Sequence, residues 1–288
     1  VAAGTRTIEA NGANVFIGEE NITLMGDFAG ATQLVHYTGE VNKSATDKSI
    51  PVTSGFGGVV IDEVLKGIPV GSYYVNGSDS LYVNVQIPEV TLDVMLNTSP
   101  TSPTTPKDSV NGKSITRNTW LDFKFFSNVD LAGGNMTASG NTTNVELTLP
   151  GGGVVTDYNN TPLTFNANGK TQYIPVFFGP NAEAGTYTAV AKWARASDFF
   201  GKGYDSKPVT FEVLTKALGI TANKDSVIRG NSFTVTITGD ARTDYTLSIK
   251  GADPNDPTKS PMIAPSQTAF SKTAGAIIGE TNATIMTN

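Results

Sequence analysis

The chain has 288 residues, a net charge of −6 and no cysteine, with 39% hydrophobic and 16% charged residues. This length and apolar content predict a folded chain of two or three domains, not a disordered one. The absence of cysteine excludes disulfides, thiol nucleophiles and Cys-based metal sites, and the acidic balance argues against nucleic acid as a partner. Low charge with abundant Thr, Asn, Gly and Val is typical of extracellular β-proteins.

The first unit, residues 1–90, contains short alternating runs of apolar and polar residues bounded by Gly, Pro, Asn and Asp, which predict strands. No apolar run approaches the roughly 20 residues that a bilayer-spanning helix needs. The small residues at 1–4 are those expected of a mature N-terminus after signal cleavage. Strands are predicted at 5–9, 14–17, 22–25, 33–37, 58–61, 71–75 and 81–87.

The second unit, residues 91–215, resembles an immunoglobulin-like β-sandwich in its penultimate strand, which starts Gly185-Thr186-Tyr187. Such a strand often carries a tyrosine whose hydroxyl bonds the backbone at a sheet corner, and Tyr187 is the candidate. An ordinary half-buried strand tyrosine is the alternative. Trp120 and Trp193 are expected to face one another across the core. Strands are predicted at 91–96, 120–125, 144–149, 154–156, 163–165, 171–178, 185–193 and 208–214, with a Thr/Ser/Pro loop at 97–106.

The third unit, residues 216–288, repeats a motif of the second. The sequence Lys-Asp-Ser-Val occurs at 107–110 and 224–227, and each copy leads into an alternating strand. Further strands are predicted at 218–221, 233–237, 245–249 and 283–286, without counterparts of the last two strands of the second unit. The third unit is therefore an apparently incomplete sandwich, in a fragment of a longer protein or completed by a neighbour's strand, with residues 1–13 as a possible donor. The predicted fold class is all-β, with tandem immunoglobulin-like β-sandwich domains.

Catalytic motifs are scarce. The one histidine, His36, lies in an apolar strand and is expected to be structural or at the surface. No Gly-x-Ser-x-Gly elbow or P-loop is present. The adjacent carboxylates Glu19-Glu20 and Asp62-Glu63 are expected to point to opposite faces of a strand, so they would not converge on one substrate. The sequence predicts that the protein is not an enzyme.

Eight Asn-x-Ser/Thr sequons offer acceptor sites for N-glycosylation. Chance is the alternative, because Asn, Ser and Thr are abundant, but in either case the sites are expected on the exterior. The acceptors are Asn21, Asn42, Asn76, Asn97, Asn135, Asn141, Asn159 and Asn282.

Calcium is the ion that the acidic composition favours, although no cofactor is certain. Asp253, Asn255 and Asp256 offer three oxygen-bearing side chains in a loop stiffened by proline. The spacing does not match an EF-hand, and a polar Asx/Pro turn is the interpretation that we favour.

The segment Ile8–Ile22 resembles the start of surface-layer proteins from methanogenic archaea. In that family an Ile-Glu-Ala, a Gly and Val-Phe-Ile-Gly-Glu-Glu open an N-terminal β-domain, and the words recur here at 8–10 and 15–20. Gly71-Ser72-Tyr73-Tyr74-Val75 is similar to a later Gly-Thr-Trp/Tyr-Tyr strand, from which Ser72 and Tyr73 depart slightly. The resemblance implies a secreted glycoprotein that tiles the cell exterior or forms a sheath, with no catalytic residues.

These observations predict a structural cell-surface protein that self-assembles with copies of itself into an S-layer, sheath or related polymer. The alternative is an extracellular adhesion or carbohydrate-binding module, with an exposed aromatic platform for which Tyr73, Tyr74 and Tyr82 are the candidates. A further rival is an accessory part of a secreted hydrolase. Neither nucleic acid nor a membrane span of this chain is expected.

Overall fold

The computed structural model describes residues 6–55, 58–76, 78–97, 108–130, 141–215 and 219–239, together with the strands at 244–248 and 282–286. Regular structure in these residues is almost all β-strand. The helical element among them is a 3₁₀ helix at Gly26–Gly30. The predicted all-β fold class is confirmed.

The first sandwich is built from β1 (Thr7–Ile8), β2 (Asn14–Phe16), β3 (Glu20–Leu24), β4 (Gln33–Tyr37), β5 (Thr46–Pro51), β6 (Thr53–Gly55), β7 (Gly58–Glu63), β8 (Gly71–Val75) and β9 (Tyr82–Gln86). One sheet has the order β1-β3-β7-β6, and the other has the order β2-β9-β8-β4-β5. In the lettering of an immunoglobulin-like sandwich, β3, β7 and β6 correspond to strands B, E and D, and β9, β8, β4 and β5 correspond to G, F, C and C′. The strand β2 is added parallel to β9. The first domain therefore has this strand order too, which its sequence did not indicate.

Alternation along the strands supplies the core of the first sandwich. Side chains at every second position turn inward and are buried, as Ile22 and Leu24 do from one sheet and Tyr73 and Val83 from the other. Burying each large apolar side chain contributes about 1.5–3 kcal/mol relative to leaving it exposed. The outer face of the β2-β9-β8-β4-β5 sheet does not belong to this core.

The second sandwich is built from β10 (Val90–Asn97), β11 (Ser114–Thr116), β12 (Thr119–Ser127), β13 (Thr142–Thr148), β14 (Val154–Val155), β15 (Asp157–Tyr158), β16 (Thr161–Pro162), β17 (Thr164–Asn166), β18 (Gln172–Phe178), β19 (Gly185–Trp193) and β20 (Val209–Leu214). Its sheets have the orders β10-β12-β18 and β11-β20-β19-β13-β14. These correspond to A-B-E and to G-F-C, with β11 parallel to β20. The predicted immunoglobulin-like arrangement is present.

A tyrosine corner closes the second sandwich. The Oη of Tyr187 donates a hydrogen bond to the carbonyl oxygen of Glu183 at 2.9 Å, and the ring is fully buried. Burial raises the pKa of this hydroxyl. Gly185 begins the strand with a φ of +128°, and a Cβ there would lie 2.9 Å from Cβ of Pro150. The prediction for Tyr187 is confirmed.

The two tryptophans do not face one another, so that expectation is wrong. On β12 the inward positions are Leu121 and Phe123, which puts Trp120 on the outer face. There its ring lies 5.0 Å from that of Phe177. Trp193 is buried in the opposite sheet. Trp193 therefore lies on the core side of the β10-β12-β18 sheet, whereas Trp120 lies on its outer side.

The regular structure described in the third unit consists of two strand pairs. β21 (Gly219–Ala222) pairs antiparallel with β22 (Val235–Thr238), and β23 (Asp244–Ser248) pairs with β24 (Asn282–Met286). The second Lys-Asp-Ser-Val copy lies between β21 and β22. The first lies between the paired strands β10 and β12, with Lys107 outside the described residues. Both copies therefore connect antiparallel neighbours.

Of the predicted donor segment 1–13, residues 1–5 lie outside the described residues, and residues 6–13 make contacts within their own domain. Thr7 and Ile8 pair with β3 of their own domain, and Arg6 is buried. Asn11 accepts a hydrogen bond from the backbone of Tyr82 at 2.9 Å. Donation of this segment to a neighbour would remove these contacts from the first sandwich.

Candidate functional site

Two surfaces of the first sandwich carry unusual groupings, and both include side chains on the outer side of its five-stranded sheet. Alternation along β2 explains one of them. Val15 turns into the core of the first sandwich, while Phe16 turns outward and joins the core of the second. Its ring meets that of Phe199 edge-on, with centroids 6.4 Å apart. Phe16 and Phe199 are both buried, so the two sandwiches share apolar contact here.

Ion pairs surround this contact. Lys202 of the second sandwich hydrogen bonds Glu20, approaches Glu63 at 3.2 Å and donates to the carbonyl oxygen of Gly18 at 2.8 Å. Burial disfavours the charge of Lys202, but the hydrogen bonds to Glu20 and Glu63 outweigh it and raise the lysine pKa. The amine therefore stays charged and links three backbone segments.

Asp198 adds a partly unsatisfied carboxylate to the junction. Its Oδ2 accepts a hydrogen bond from the backbone nitrogen of Glu20 at 3.0 Å. Within the described part of the chain, its Oδ1 is buried without a hydrogen-bond partner. Burial raises the pKa of this carboxyl, since an ionised oxygen without a donor is costly away from water.

A buried ion pair between Arg6 and Glu19 stabilises the turn between β2 and β3. Arg6 contacts Glu19 through Nε at 2.6 Å and Nη2 at 2.9 Å, and also donates to the carbonyl of Asn14 at 2.7 Å. Glu19 accepts from the nitrogen of Phe16 at 3.0 Å. Burial raises the pKa of Glu19, and Arg6 opposes this shift. The pair therefore fixes the turn between Phe16 at the end of β2 and Glu20 at the start of β3.

The contacts of the junction account for Gly18, Glu19 and Glu20 of the segment 15–20. Gly18 has a φ of +93°, and a Cβ there would lie 3.2 Å from Lys202 Cδ and from Tyr204 Cε2. Only glycine combines this backbone with so close an approach. As expected, the neighbouring carboxylates diverge, because Glu19 turns to Arg6 and Glu20 to Lys202.

Comparison with known proteins adds a family. Residues 11–205, more than half of the chain, match the family described as Domain of unknown function (DUF3821). The chain belongs to the DUF3821 family. The matched segment runs from the first sandwich to the residue after Tyr204, so the DUF3821 unit includes both sides of the junction.

No curated protein matches the chain. A solved structure titled "Crystal structure of DIP-gamma IG1+IG2" is similar, with 10% identity over 73% of this chain and 95% of that one. Its TM-score is 0.26, so the immunoglobulin-like assignment of this DUF3821 member rests on its own strand order. Nothing in these comparisons is specific to surface-layer or methanogen proteins.

The second surface of this DUF3821 member is a cluster of three tyrosines. Tyr74 and Tyr82 are direct partners on β8 and β9, with ring centroids 5.2 Å apart. Tyr37 lies 6.1 Å from Tyr74. All three rings are half-buried. We call Tyr37, Tyr74 and Tyr82 the tyrosine face.

Of the three tyrosines expected in an aromatic platform, two are on this face and one is not. Tyr73 is fully buried and donates to the carbonyl oxygen of Pro69 at 2.9 Å. Burial raises its pKa to about 12. The position of Tyr37 on this face was not predicted from the sequence, because the register of β4 against β8 decides which rings meet.

A row of amides continues the tyrosine face toward the junction. Asn84 donates to Oδ1 of Asn14 at 2.9 Å, and Gln86 donates to the same oxygen at 3.0 Å. Tyr82, Asn84 and Gln86 share one side of β9 because residues two apart point the same way. Ser72 is the cross-strand partner of Asn84. We call Asn14, Asn84 and Gln86 the amide row.

The sequons differ in accessibility. Asn42, Asn76 and Asn159 are exposed, and Asn21 and Asn141 are half-buried. Asn97 is only 5% exposed and donates to Asp122 at 2.7 Å, so its expected exterior position is wrong. Asn97 is the last residue of β10. Asn135 lies outside the described residues, and Asn282 begins β24.

His36 is paired with the carboxylate of Asp47, and among the described residues no serine or threonine hydroxyl completes a catalytic triad with it. Its Nδ1 lies 2.7 Å from Oδ1 of Asp47, and this hydrogen bond lowers the pKa of Asp47. The imidazole leans on the ring of Tyr73 at 5.2 Å. In the described part of the chain, no hydroxyl group hydrogen bonds this histidine. The contacts are those of a half-buried structural residue.

The calcium candidate Asp253, Asn255 and Asp256 lies outside the described residues. Within them, no three His, Asp or Glu side chains are grouped as a metal site would require. None of the described helices is long and apolar enough to cross a membrane.

Proposed function

We propose that this chain is a structural component of the cell exterior that self-assembles into an S-layer, sheath or related polymer. Sandwiches of this type are common in cell-surface domains. The role would be non-catalytic. The proposal concerns the assembly and its location, and the junction between the two sandwiches is the observation that supports it.

An ordered polymer requires that each copy present its contact surfaces at fixed angles, because repeated identical contacts close into a lattice only then. A flexible linker between two domains would spread these angles. Here Phe16 and Phe199 are buried together, and Lys202 bridges Glu20 and Glu63. Apolar burial and ion pairs therefore favour one relative orientation of the two sandwiches.

Exposed apolar side chains in the third unit supply further support. Ile220 is 62% and Ile228 is 79% exposed, and Phe233 and Val235 are also partly exposed. A group of apolar side chains in water favours contact with another protein surface. Among the described residues, β21 and β22 pair only with each other, and an edge strand of such a sheet offers backbone groups for pairing.

We propose an extracellular location and glycosylation at Asn42, Asn76 and Asn159, whose side chains are exposed. The absence of cysteine and the net charge of −6 are compatible with such a surface. Calcium would bridge acidic groups between copies rather than serve catalysis.

Sedimentation velocity of the full chain tests the self-association. The full chain is expected to form concentration-dependent large species, and millimolar Ca²⁺ is expected to favour them. The variant Phe199→Ala should assemble less, because it loosens the junction. The adjacent Phe200→Ala is the matched control, since Phe200 is 49% exposed. A monomer at all concentrations, with and without Ca²⁺, would argue against the proposal.

A further inference from the structure

We propose that the tyrosine face and the amide row together bind a neutral polysaccharide chain. This is a second function, on residues other than those that form the sandwich junction. Three kinds of observation carry it, namely the arrangement of the rings, the amide atoms without a partner among the described residues, and the uncharged character of these side chains.

The rings offer an apolar platform of the kind that sugars use. A pyranose presents C–H groups on its faces and hydroxyls at its rim, and aromatic side chains pack against such faces. Tyr74 and Tyr82 are paired across neighbouring strands at 5.2 Å and tilted by 40°. Among the described residues, neither hydroxyl has a protein hydrogen-bond partner, so both remain available at the edge of the platform.

The platform is held in place before any ligand arrives. Asn11 accepts from the nitrogen of Tyr82 at 2.9 Å, and Gly12 donates to its carbonyl oxygen at 2.8 Å. A Cβ at Gly12 would lie 3.2 Å from the Tyr82 hydroxyl, so glycine leaves room for the ring. Tyr37 is fixed by its hydrogen bond to Asn42 at 2.6 Å. Such preorganisation lowers the entropy lost on binding.

The amide row supplies both donors and acceptors. Oδ1 of Asn14 is occupied by Asn84 and Gln86, which fixes all three amides. Within the described part of the chain, Nδ2 of Asn14 and the side-chain oxygens of Asn84 and Gln86 have no further partner. Sugar hydroxyls both donate and accept, so a mixed row of amides suits them.

The dimensions and charge select the ligand class. From Tyr82 to Gln86 the strand makes four residue-to-residue steps, roughly 13 Å, which is about the length of two or three pyranose rings. The residues of the tyrosine face and the amide row carry no charge, and neither does Ser72 beside them. A chain of −6 net charge would repel an acidic polysaccharide. A neutral, extended polysaccharide fits best.

Isothermal titration of the unglycosylated full chain with cellohexaose and chitohexaose tests this assignment, because both are neutral and extended. Binding of at least one hexamer is expected, and Tyr74→Ala or Tyr82→Ala should weaken it about tenfold or more. Asn84→Ala should weaken it severalfold. Trp120→Ala is the control, since that half-buried ring lies on the second sandwich against Phe177.

Thermal melts of each variant separate lost binding from lost folding. If a tyrosine variant unfolds, the double variant Asn84→Ala with Gln86→Ala decides, because it leaves the rings intact. No heat of binding with either hexamer, or equal affinity in wild type and the Tyr74→Ala/Tyr82→Ala double variant, would overturn the proposal. The rings would then serve only as a cross-strand ladder that stabilises the sheet.

Discussion

Tyr73 and Tyr187 occupy equivalent positions in the two sandwiches. Each is the third residue of its strand, is fully buried and donates a hydrogen bond of 2.9 Å to a carbonyl oxygen four residues earlier. Each strand begins with a glycine at a φ of +128°. The two domains therefore close the same sheet corner in the same way, although their sequences share only Gly-x-Tyr at this point.

Removing either corner hydroxyl should destabilise its own sandwich. Tyr73→Phe and Tyr187→Phe each remove one hydrogen bond and leave a carbonyl unpaired, which costs about 0.5–1.5 kcal/mol. Urea unfolding followed by circular dichroism measures the loss. Tyr82→Phe is the matched control, because among the described residues its hydroxyl has no protein partner. Equal stability of all three variants and wild type would contradict the corner's role.

The buried pair of Arg6 and Glu19 predicts a strong asymmetry between single and double variants. Glu19→Ala leaves the Arg6 guanidinium buried and unpaired, so we expect a loss of about 3–5 kcal/mol in the free energy of unfolding. Replacing both residues with Met should cost much less. Lys43→Ala, which breaks the exposed pair with Glu40, should change stability by less than about 1 kcal/mol. If the double variant is as unstable as Glu19→Ala, the pair does not act as described.

Gly18 and Gly67 form a matched pair that isolates the junction. Both have a φ near +90°, but a Cβ at Gly67 would meet nothing within 4 Å, whereas one at Gly18 would meet Lys202 and Tyr204. Each alanine variant pays for its backbone strain, on the order of 1–3 kcal/mol. Gly18→Ala should lose roughly 1–3 kcal/mol more, through overpacking at the junction. Differential scanning calorimetry compares them, and equal losses would count against a tight junction.

Asp198 predicts a pH effect with a definite sign. Burial raises its folded-state pKa above the ordinary value of 3.8, so the folded protein takes up this proton first as the pH falls. Its contribution to stability is fully present below the unfolded pKa and is lost as the pH rises through the folded-state pKa. Asp198→Asn removes this dependence.

The Tm of Asp198→Asn minus that of wild type should therefore be more positive at pH 7 than at pH 4. Melts in a series of buffers between these values measure it. Asp62→Asn, at an exposed position, corrects for the change in net charge. A difference that becomes more negative as the pH rises would contradict the direction of the shift.

Local patterns in the sequence predicted much of the strand content. Three strands have the predicted bounds, namely Gln33–Tyr37, Gly71–Val75 and Gly185–Trp193. In each, apolar and polar residues alternate, and glycine, proline or polar residues mark the ends. Thr46–Pro51 was missed, since nearly all its residues are exposed and polar and no alternation marks such a strand. The strands that alternation identifies are those that bury one face.

The junction and the tyrosine face could not be predicted, because both depend on contacts between distant segments. Alternation indicates that Phe16 points away from Val15, but not that Phe199 receives it. In the same way, Trp120 was placed one position out of phase with the inward residues of its strand. Register and domain packing decide these contacts, and alternation within one strand does not show which distant segment a side chain will meet.

Negative-stain electron microscopy of the full chain, concentrated with and without millimolar Ca²⁺, tests the central claim most directly. The account predicts ordered sheets, tubes or filaments with one repeating unit, and their loss in Phe199→Ala but not in Phe200→Ala. Dispersed particles under every condition would contradict self-assembly as the function of this chain.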